Sequence, residues 1–318
     1  ARDPKPQEIK AATAFLKTQR AQLRREAPPP PPVASPLAAA DKYFGNAAPT
    51  GTKKTLLLQP GTPNEKLRVN TDGKIEPEQF CVEAVVYLNS LHPDATVRTI
   101  VSRWNNKKDE AGWSFGVTGL KSGFKPNNLI MQLSGEDFQG SPSYEAVASG
   151  IRIETGKPYY VAASVDIHPG PGQEFGGNVT FYVRDLSDPA APLQTVKVAD
   201  QIPGAYINEG RALYVGGRDQ EKRSIWDGAI ARVAVRAGAL DPTKLLSWSI
   251  KVDPTCIADV SADKAQNMLT APPAQRWAWE TSVAPVKGPL KGPFDPNAQA
   301  ITDFCHALIN SNEFFYLQ

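Results

Sequence analysis

Between Phe80 and Arg236 the chain repeats short segments rich in β-branched and aromatic residues, and their spacing limits what it can fold into. The segments are Phe80-Cys-Val-Glu-Ala-Val-Val-Tyr-Leu88, Thr99-Ile-Val-Ser-Arg-Trp104, Gly112-Trp-Ser-Phe-Gly-Val117 and Leu129-Ile-Met-Gln-Leu133. Tyr159 to Val165, Val179 to Val183, Leu213 to Val215 and Ile230 to Arg236 continue the series. Turn residues stand between them: Asn105-Asn106, Lys121-Ser-Gly123, Pro169 to Gly172 and Gly216-Gly217. Short strands at even spacing, with no helical period between them, predict an antiparallel sandwich or barrel. Proline agrees. It makes up 29 of 318 residues, well above the usual share of about 5%, and each interior Pro costs a helix roughly 3 kcal/mol.

The flanks read differently. Ile9, Ala12, Leu16 and Leu23 follow a helical period, and Arg20, Arg24 and Arg25 gather at the end where the helix dipole favours cations. Residues 1–27 are therefore expected as an N-terminal helix. Pro28 to Pro32 end it, and residues 28–52 are expected as a Pro/Ala-rich linker lying on the surface. The β block spans 53–241. Residues 242–297 are expected as an extended return segment carrying Trp277 and Trp279, with a short helix from Ala262 to Leu269. In residues 298–318, Ile301, Phe304, Cys305 and Leu308 predict a second helix, followed by the apolar tail Phe314 to Leu317.

The formal net charge is +2 and the basic residues are scattered, so no nucleic-acid partner is expected. No apolar run reaches the 18 or so residues of a membrane span. Cys81, Cys256 and Cys305 form no metal-binding spacing. One disulfide, with Cys256–Cys305 the favoured pair, and three free thiols are both open. The chain begins Ala1-Arg-Asp-Pro4, without an initiator Met or a signal peptide, and is expected to be a processed product or an excised piece.

The β block resembles the laminin-G-like, concanavalin-A-type jelly roll. Phe80-Cys-Val-Glu-Ala-Val-Val, Ile100-Val-Ser-Arg-Trp and Gly112-Trp-Ser-Phe-Gly-Val match early strands of that family. Lys157-Pro-Tyr-Tyr-Val-Ala-Ala-Ser-Val-Asp and Val179-Thr-Phe-Tyr-Val match later ones. Leu213-Tyr-Val-Gly-Gly-Arg and Trp226-Asp-Gly-Ala-Ile-Ala-Arg-Val match its closing pair. Arg184-Asp185-Leu186 replaces the usual turn glycine, so a longer hairpin is expected there. The resemblance implies a mainly β, antiparallel jelly-roll sandwich. The ending Asp303-Phe-Cys-His-Ala-Leu-Ile-Asn-Ser-Asn-Glu-Phe and the start Ala1-Arg-Asp-Pro-Lys-Pro-Gln-Glu are similar to the C-terminal region of a planctomycete family. Its members pair a cytochrome-c-like module with domains of unknown function. That similarity implies a sandwich inserted between two helices that pack together, Phe304, Leu308 and Phe314 lying against Ile9 and Leu16. It also implies upstream domains as partners and a periplasmic or extracellular location.

Catalysis finds little support. A glycosidase needs two carboxylates facing one cleft, about 5 to 9.5 Å apart, and the fold's usual E-x-D-x-x-E hydrolase strand is missing. Glu136 and Asp137 are adjacent, so on a strand they would face opposite sides. Cys305 and His306 diverge by about 100° on a helix and make no dyad. His92 and His168 are expected to be solvated. Ca2+ is the candidate cofactor, with Asp109, Asp166, Asp219 and Asp227 as strand-end carboxylates that could ligate it. Sugar binding would use an aromatic platform with nearby amide or guanidinium donors. Trp104 with Asn105, Trp113, and Trp226 with Arg218 supply the combinations, core packing of each Trp being the other option. The expected function is a non-catalytic binding module for a glycan or protein surface. The alternative is a structural segment packing on upstream domains of a cytochrome-type or polysaccharide-processing protein.

Overall fold

The computed structural model describes residues 5–26, 36–49, 52–137, 139–168, 176–200, 202, 211–242, 255–272, 275–281 and 300–305. The chain divides into two compact units, one made of Ser35–Val283 and the other of Ala1–Ala34 with Ala284–Gln318.

In the terminal unit, helix α1 runs over Pro6–Glu26. Helical residues 300–305 belong to the same unit. The Phe15 and Phe304 rings meet at 5.7 Å between centroids, and Gln19 Nε2 donates to Asp303 Oδ2 at 3.1 Å. The two helical pieces therefore pack on each other, as the sequence implied, but through a different residue. Ile9 is 53% exposed. It lies off the face formed by Ala12, Leu16, Gln19 and Leu23, all half-buried, while Phe15 makes the ring contact. His306, Leu308 and the tail from Phe314 lie outside the described residues.

The larger unit opens with strand β1 (Leu37–Ala39), helix α2 (Asp41–Phe44) and a 3-10 turn (Gly45–Ala47). Then come β2 (Lys54–Leu58), β3 (Lys66–Val69), β4 (Gln79–Leu88) and β5 (Arg98–Arg103). Strands β6 (Gly112–Val117), β7 (Asn128–Glu136), β8 (Pro142–Arg152) and β9 (Pro158–Asp166) follow. Next are β10 (Gly177–Asp185), β11 (Gln194–Asp200), β12 (Leu213–Val215) and β13 (Gly228–Ala237). Strand β14 (Cys256–Ser261), helix α3 (Ala262–Met268) and β15 (Ala278–Glu280) complete the unit.

One antiparallel sheet has the order β1-β2-β13-β4-β9-β10-β11, with β14 also pairing β13; the other is β15-β3-β12-β5-β6-β7-β8. The chain crosses repeatedly between the two, giving the jelly-roll β-sandwich. Val82, Ala84, Val86, Val161, Phe181 and Ile230 of the first sheet share one core with Trp113, Phe115, Met131 and Val215 of the second. The outer face of the first sheet is covered too. Ala40 and Phe44 pack there with Val85, Tyr160, Ala162, Tyr182, Ala229 and Ala231. With both faces buried, β4, β9 and β13 read as nearly continuous apolar runs.

Residues expected as linker or return segment thus supply sheet strands β1, β14 and β15, as well as the cover for that outer face. Helix α3 lies where the short helix was expected, its N-cap Ser261 accepting from Lys264 N. The β10–β11 hairpin is long, as anticipated, with residues 186–193 between its strands. None of the three cysteines forms a disulfide. Cys81 and Cys256 each stand opposite Arg236, on strands to either side of β13. That puts them two strand spacings apart, about 9.5 Å, beyond the reach of a disulfide.

Candidate functional site

The site lies on the outer face of the seven-stranded sheet. Alternate residues of β5, β6 and β7 point into the core, so Ser102, Ser114 and Gln132, which stand opposite one another, face outward as a polar row. The β12–β13 loop folds back over this row. It turns at Gly216, whose φ of +82° and close approach to Leu58 exclude a side chain. Ser102 Oγ then donates to Gly217 O at 2.8 Å, and Lys66 Nζ donates to Arg218 O at 2.6 Å.

This fold-back lays Arg218 across three strands. Its Nε donates to Thr99 Oγ1 at 3.0 Å, Nη1 to Asn106 Oδ1 and Nη2 to Gln132 Oε1. The guanidinium lies 5.2 Å from the centre of the Trp104 ring. Burial lowers the Arg218 pKa to about 10, against the pull of Glu221 and Tyr144, so it stays cationic at neutral pH.

Trp104 is 1% exposed. Its Nε1 donates to Lys107 O at 2.8 Å and Glu110 O at 3.1 Å. Gly112 makes room for it, since a Cβ there would fall 2.4 Å from Arg103 O and 2.8 Å from Trp104 Cβ. The outer side of Trp104 carries Tyr144 of β8, stacked at 5.5 Å and 18°. Gln132 Nε2 donates to the Tyr144 hydroxyl, and Lys108 Nζ sits 5.8 Å from its ring centre. Tyr144 is half-buried and Lys108 exposed.

The structure therefore brings Trp104, Asn105 and Arg218 together, but as a foundation. Asn105 is a loop brace, its Nδ2 donating to Glu110 Oε2 at 2.8 Å and its Oδ1 accepting from Lys107 N. Arg218 pairs with Trp104, not with Trp226. Trp226 is fully buried in the core and Trp113 is 1% exposed, so neither can face a ligand. The ring the sequence reading overlooked is Tyr144. One signal was available: Gln132 interrupts the apolar run Leu129 to Leu133, marking a polar outer face.

The carboxylates offered for Ca2+ do not converge. Asp109 is exposed. Asp219 pairs with Arg211 at 2.9 Å and accepts from the Tyr214 hydroxyl. Asp227 accepts from Asn89 and Ser90 beside its turn. Asp166 accepts from Gln79 and lies 2.9 Å from the His168 ring. Among the described residues, no three His, Cys, Asp or Glu side chains form a metal-holding group.

His92, its side chain 16% exposed, pairs with Asp94 at 2.7 Å, while His168 is solvent-exposed as expected and also pairs with Asp166 and with Glu78 at 2.7 Å. The hydrogen bond to Asp166 raises the His168 pKa above its ordinary value, and Glu78 adds to it. The stability this cation supplies is full below its unfolded pKa of about 6.5 and is lost as pH rises through the folded value. An NMR titration should place the His168 pKa above 6.5, and Asp166→Asn should lower it; a wild-type value at or below 6.5 would contradict the pairing.

Two further carboxylates make structural contacts. Asp137 accepts from Gln139 N and Ser141 N in a turn. Glu83 is buried against the Tyr160 hydroxyl, at 2.9 Å, and Arg236.

No family model matches the chain, and no curated protein matches it. Solved structures similar to it include the enzymatically active domain of tailspike protein 2 from bacteriophage CBA120. There the identity is 14% over 67% of this chain and 30% of that one, with a TM-score of 0.44. This chain thus spans under a third of that tailspike's length. The LG1-3 region of the laminin alpha2 chain is 11% identical over 54% of this chain and 31% of that one, TM-score 0.35. The CBM40 of the Ruminococcus gnavus IT-sialidase, bound to alpha2,3 sialyllactose, is 12% identical over 61% of this chain and 94% of that one, TM-score 0.38. The fold itself rests on the order and pairing of the two sheets.

Proposed function

We propose that the sandwich is a non-catalytic recognition module that binds carbohydrate on the Tyr144 ring, as part of a larger protein in the periplasm or outside the cell. The observation that carries this is the stack itself. Tyr144 is half-exposed, seated on buried Trp104, and its hydroxyl is fixed by Gln132, which Arg218 fixes in turn. A pyranose packs its C–H face on such a ring, and a platform already held in place loses little entropy on binding. Lys108, whose ammonium lies 5.8 Å over the ring centre, swings aside as the sugar packs and supplies a donor for its hydroxyls. A glycan array with the full chain should identify a ligand. Tyr144→Ala should weaken its binding at least tenfold while leaving the unfolding midpoint within a few degrees of wild type. Absence of any glycan ligand, or equal binding by the variant, would overturn the proposal.

A second reading, a segment that packs on upstream domains of a cytochrome-type or polysaccharide-processing parent, is favoured by the terminal unit. Ile9 and Ile301, 53% and 48% exposed, are apolar side chains left on the outside of its helices.

A further inference from the structure

We propose that the β6–β7 loop, residues 118–127, docks the sandwich on an anionic lipid surface, seating Leu120 and Phe124 in the interface with Lys121 and Lys125 at the headgroups. Leu120 is 56% exposed and Phe124 47%. Among the described residues of the sandwich, Leu193 is the one other large hydrophobic side chain so exposed.

The loop is held firmly. Leu120 N donates to His92 O at 2.9 Å and Lys121 N to Asp94 O at 3.2 Å, tying it to the preceding loop. Thr118 Oγ1 donates to Lys125 O at 2.6 Å and Asn128 Nδ2 to Phe124 O at 2.8 Å. The two loop backbones meet at Gly119, where a Cβ would fall 2.2 Å from Asp94 O. Lys125 and Asn127 adopt left-handed φ values of 67° and 65°, a conformation that non-glycine residues seldom take without support from their surroundings. Two apolar side chains are thus displayed on a backbone that cannot fold them inward.

Charge chooses the partner. Residues 118–127 contain Lys121 and Lys125 and no carboxylate. Neither lysine joins an ion pair among the described residues. Two side chains on a convex turn cover far less than the roughly 800 Å² per partner of a stable protein interface. Apolar residues flanked by lysines suit an anionic bilayer surface. The loop also stands away from the sugar platform: Tyr144 pairs with Ser134 opposite Gly112, at the far end of β6 from Val117. The separation is about 17 Å along the strand, so both surfaces can be occupied together.

The test is vesicle flotation of the full chain. Vesicles of phosphatidylcholine with a quarter phosphatidylglycerol should bind it at least tenfold better than phosphatidylcholine alone, with the preference fading at high salt. Leu120→Ser with Phe124→Ser should lower binding at least tenfold. Lys121→Gln with Lys125→Gln should remove the preference for anionic vesicles. Unfolding midpoints should stay unchanged in both variants, since the substituted side chains are exposed. Equal or absent binding of the wild type to both vesicles, as expected if the loop meets a protein, would overturn the proposal, and so would undiminished binding by the apolar variant.

Discussion

Replacing Trp104 with alanine is expected to destabilise the sandwich by about 3–5 kcal/mol, the range for removing a fully buried large aromatic side chain. The loss has three parts. A cavity opens under Tyr144, the cation–aromatic contact with Arg218 disappears, and Lys107 O and Glu110 O lose their shared donor. In a unit of this size each kcal/mol moves the thermal midpoint by about 2–4 °C, so thermal unfolding should show a drop of about 10 °C, and the urea midpoint should fall with it. If Trp104 were a ligand platform at the surface, the same substitution would cost little stability and chiefly weaken binding. The two outcomes are readily told apart.

The second large effect is expected at the ion pair of Glu76 with Arg103. Arg103 Nε lies 2.9 Å from Glu76 Oε2, and both side chains are only 3% exposed. Burial pushes the Glu76 carboxyl up in pKa, with Arg103 and Trp113 acting against it. Burial likewise lowers the pKa of Arg103, with Glu76 opposing. Desolvation thus outweighs attraction in both groups. Glu76→Ala should therefore cost about 3–5 kcal/mol, because it leaves a buried cation without its carboxylate. Glu76→Leu combined with Arg103→Met should cost much less than the sum of the two single changes. Denaturant unfolding of the four proteins measures the coupling; strictly additive losses would show that the pair is not a unit.

The core strands were legible in the sequence because of how they are buried. Strands β4, β9 and β13 lie in a sheet covered on both faces, so their apolar runs are nearly unbroken. Strand β8 was not legible. It is an edge strand, half-exposed along most of its length and built from Ser, Ala, Tyr and Glu, so no strong period marks it. Strands β1 and β15 span three residues each, too few for a pattern, and they form only because β2 and β3 are there to pair with.

The site divides along the same line. Trp104, Asn105 and Arg218 were singled out by residue type, and they do come together. Whether a tryptophan lies on the surface or beneath it depends on what packs over it. Here that is Tyr144, from a strand the pattern did not reveal. Arg218 looked like a partner for nearby Trp226, but the turn at Gly216 sends it back across β5 to Trp104, more than a hundred residues earlier in the chain. Asp219 was more readable than it seemed. Arg211, on the other side of the short strand β12, neutralises it.

Amide NMR of the full chain during oligosaccharide titration measures whether Tyr144 is a carbohydrate platform on a Trp104–Arg218 foundation. Shifts should concentrate on the Trp104 indole N–H, the Gln132 side-chain amide, and the backbone of residues 105–108 and 143–145, saturating together and vanishing in Tyr144→Ala. Saturable shifts elsewhere on the sandwich, with these signals unmoved, would place the sugar on another surface and contradict the assignment.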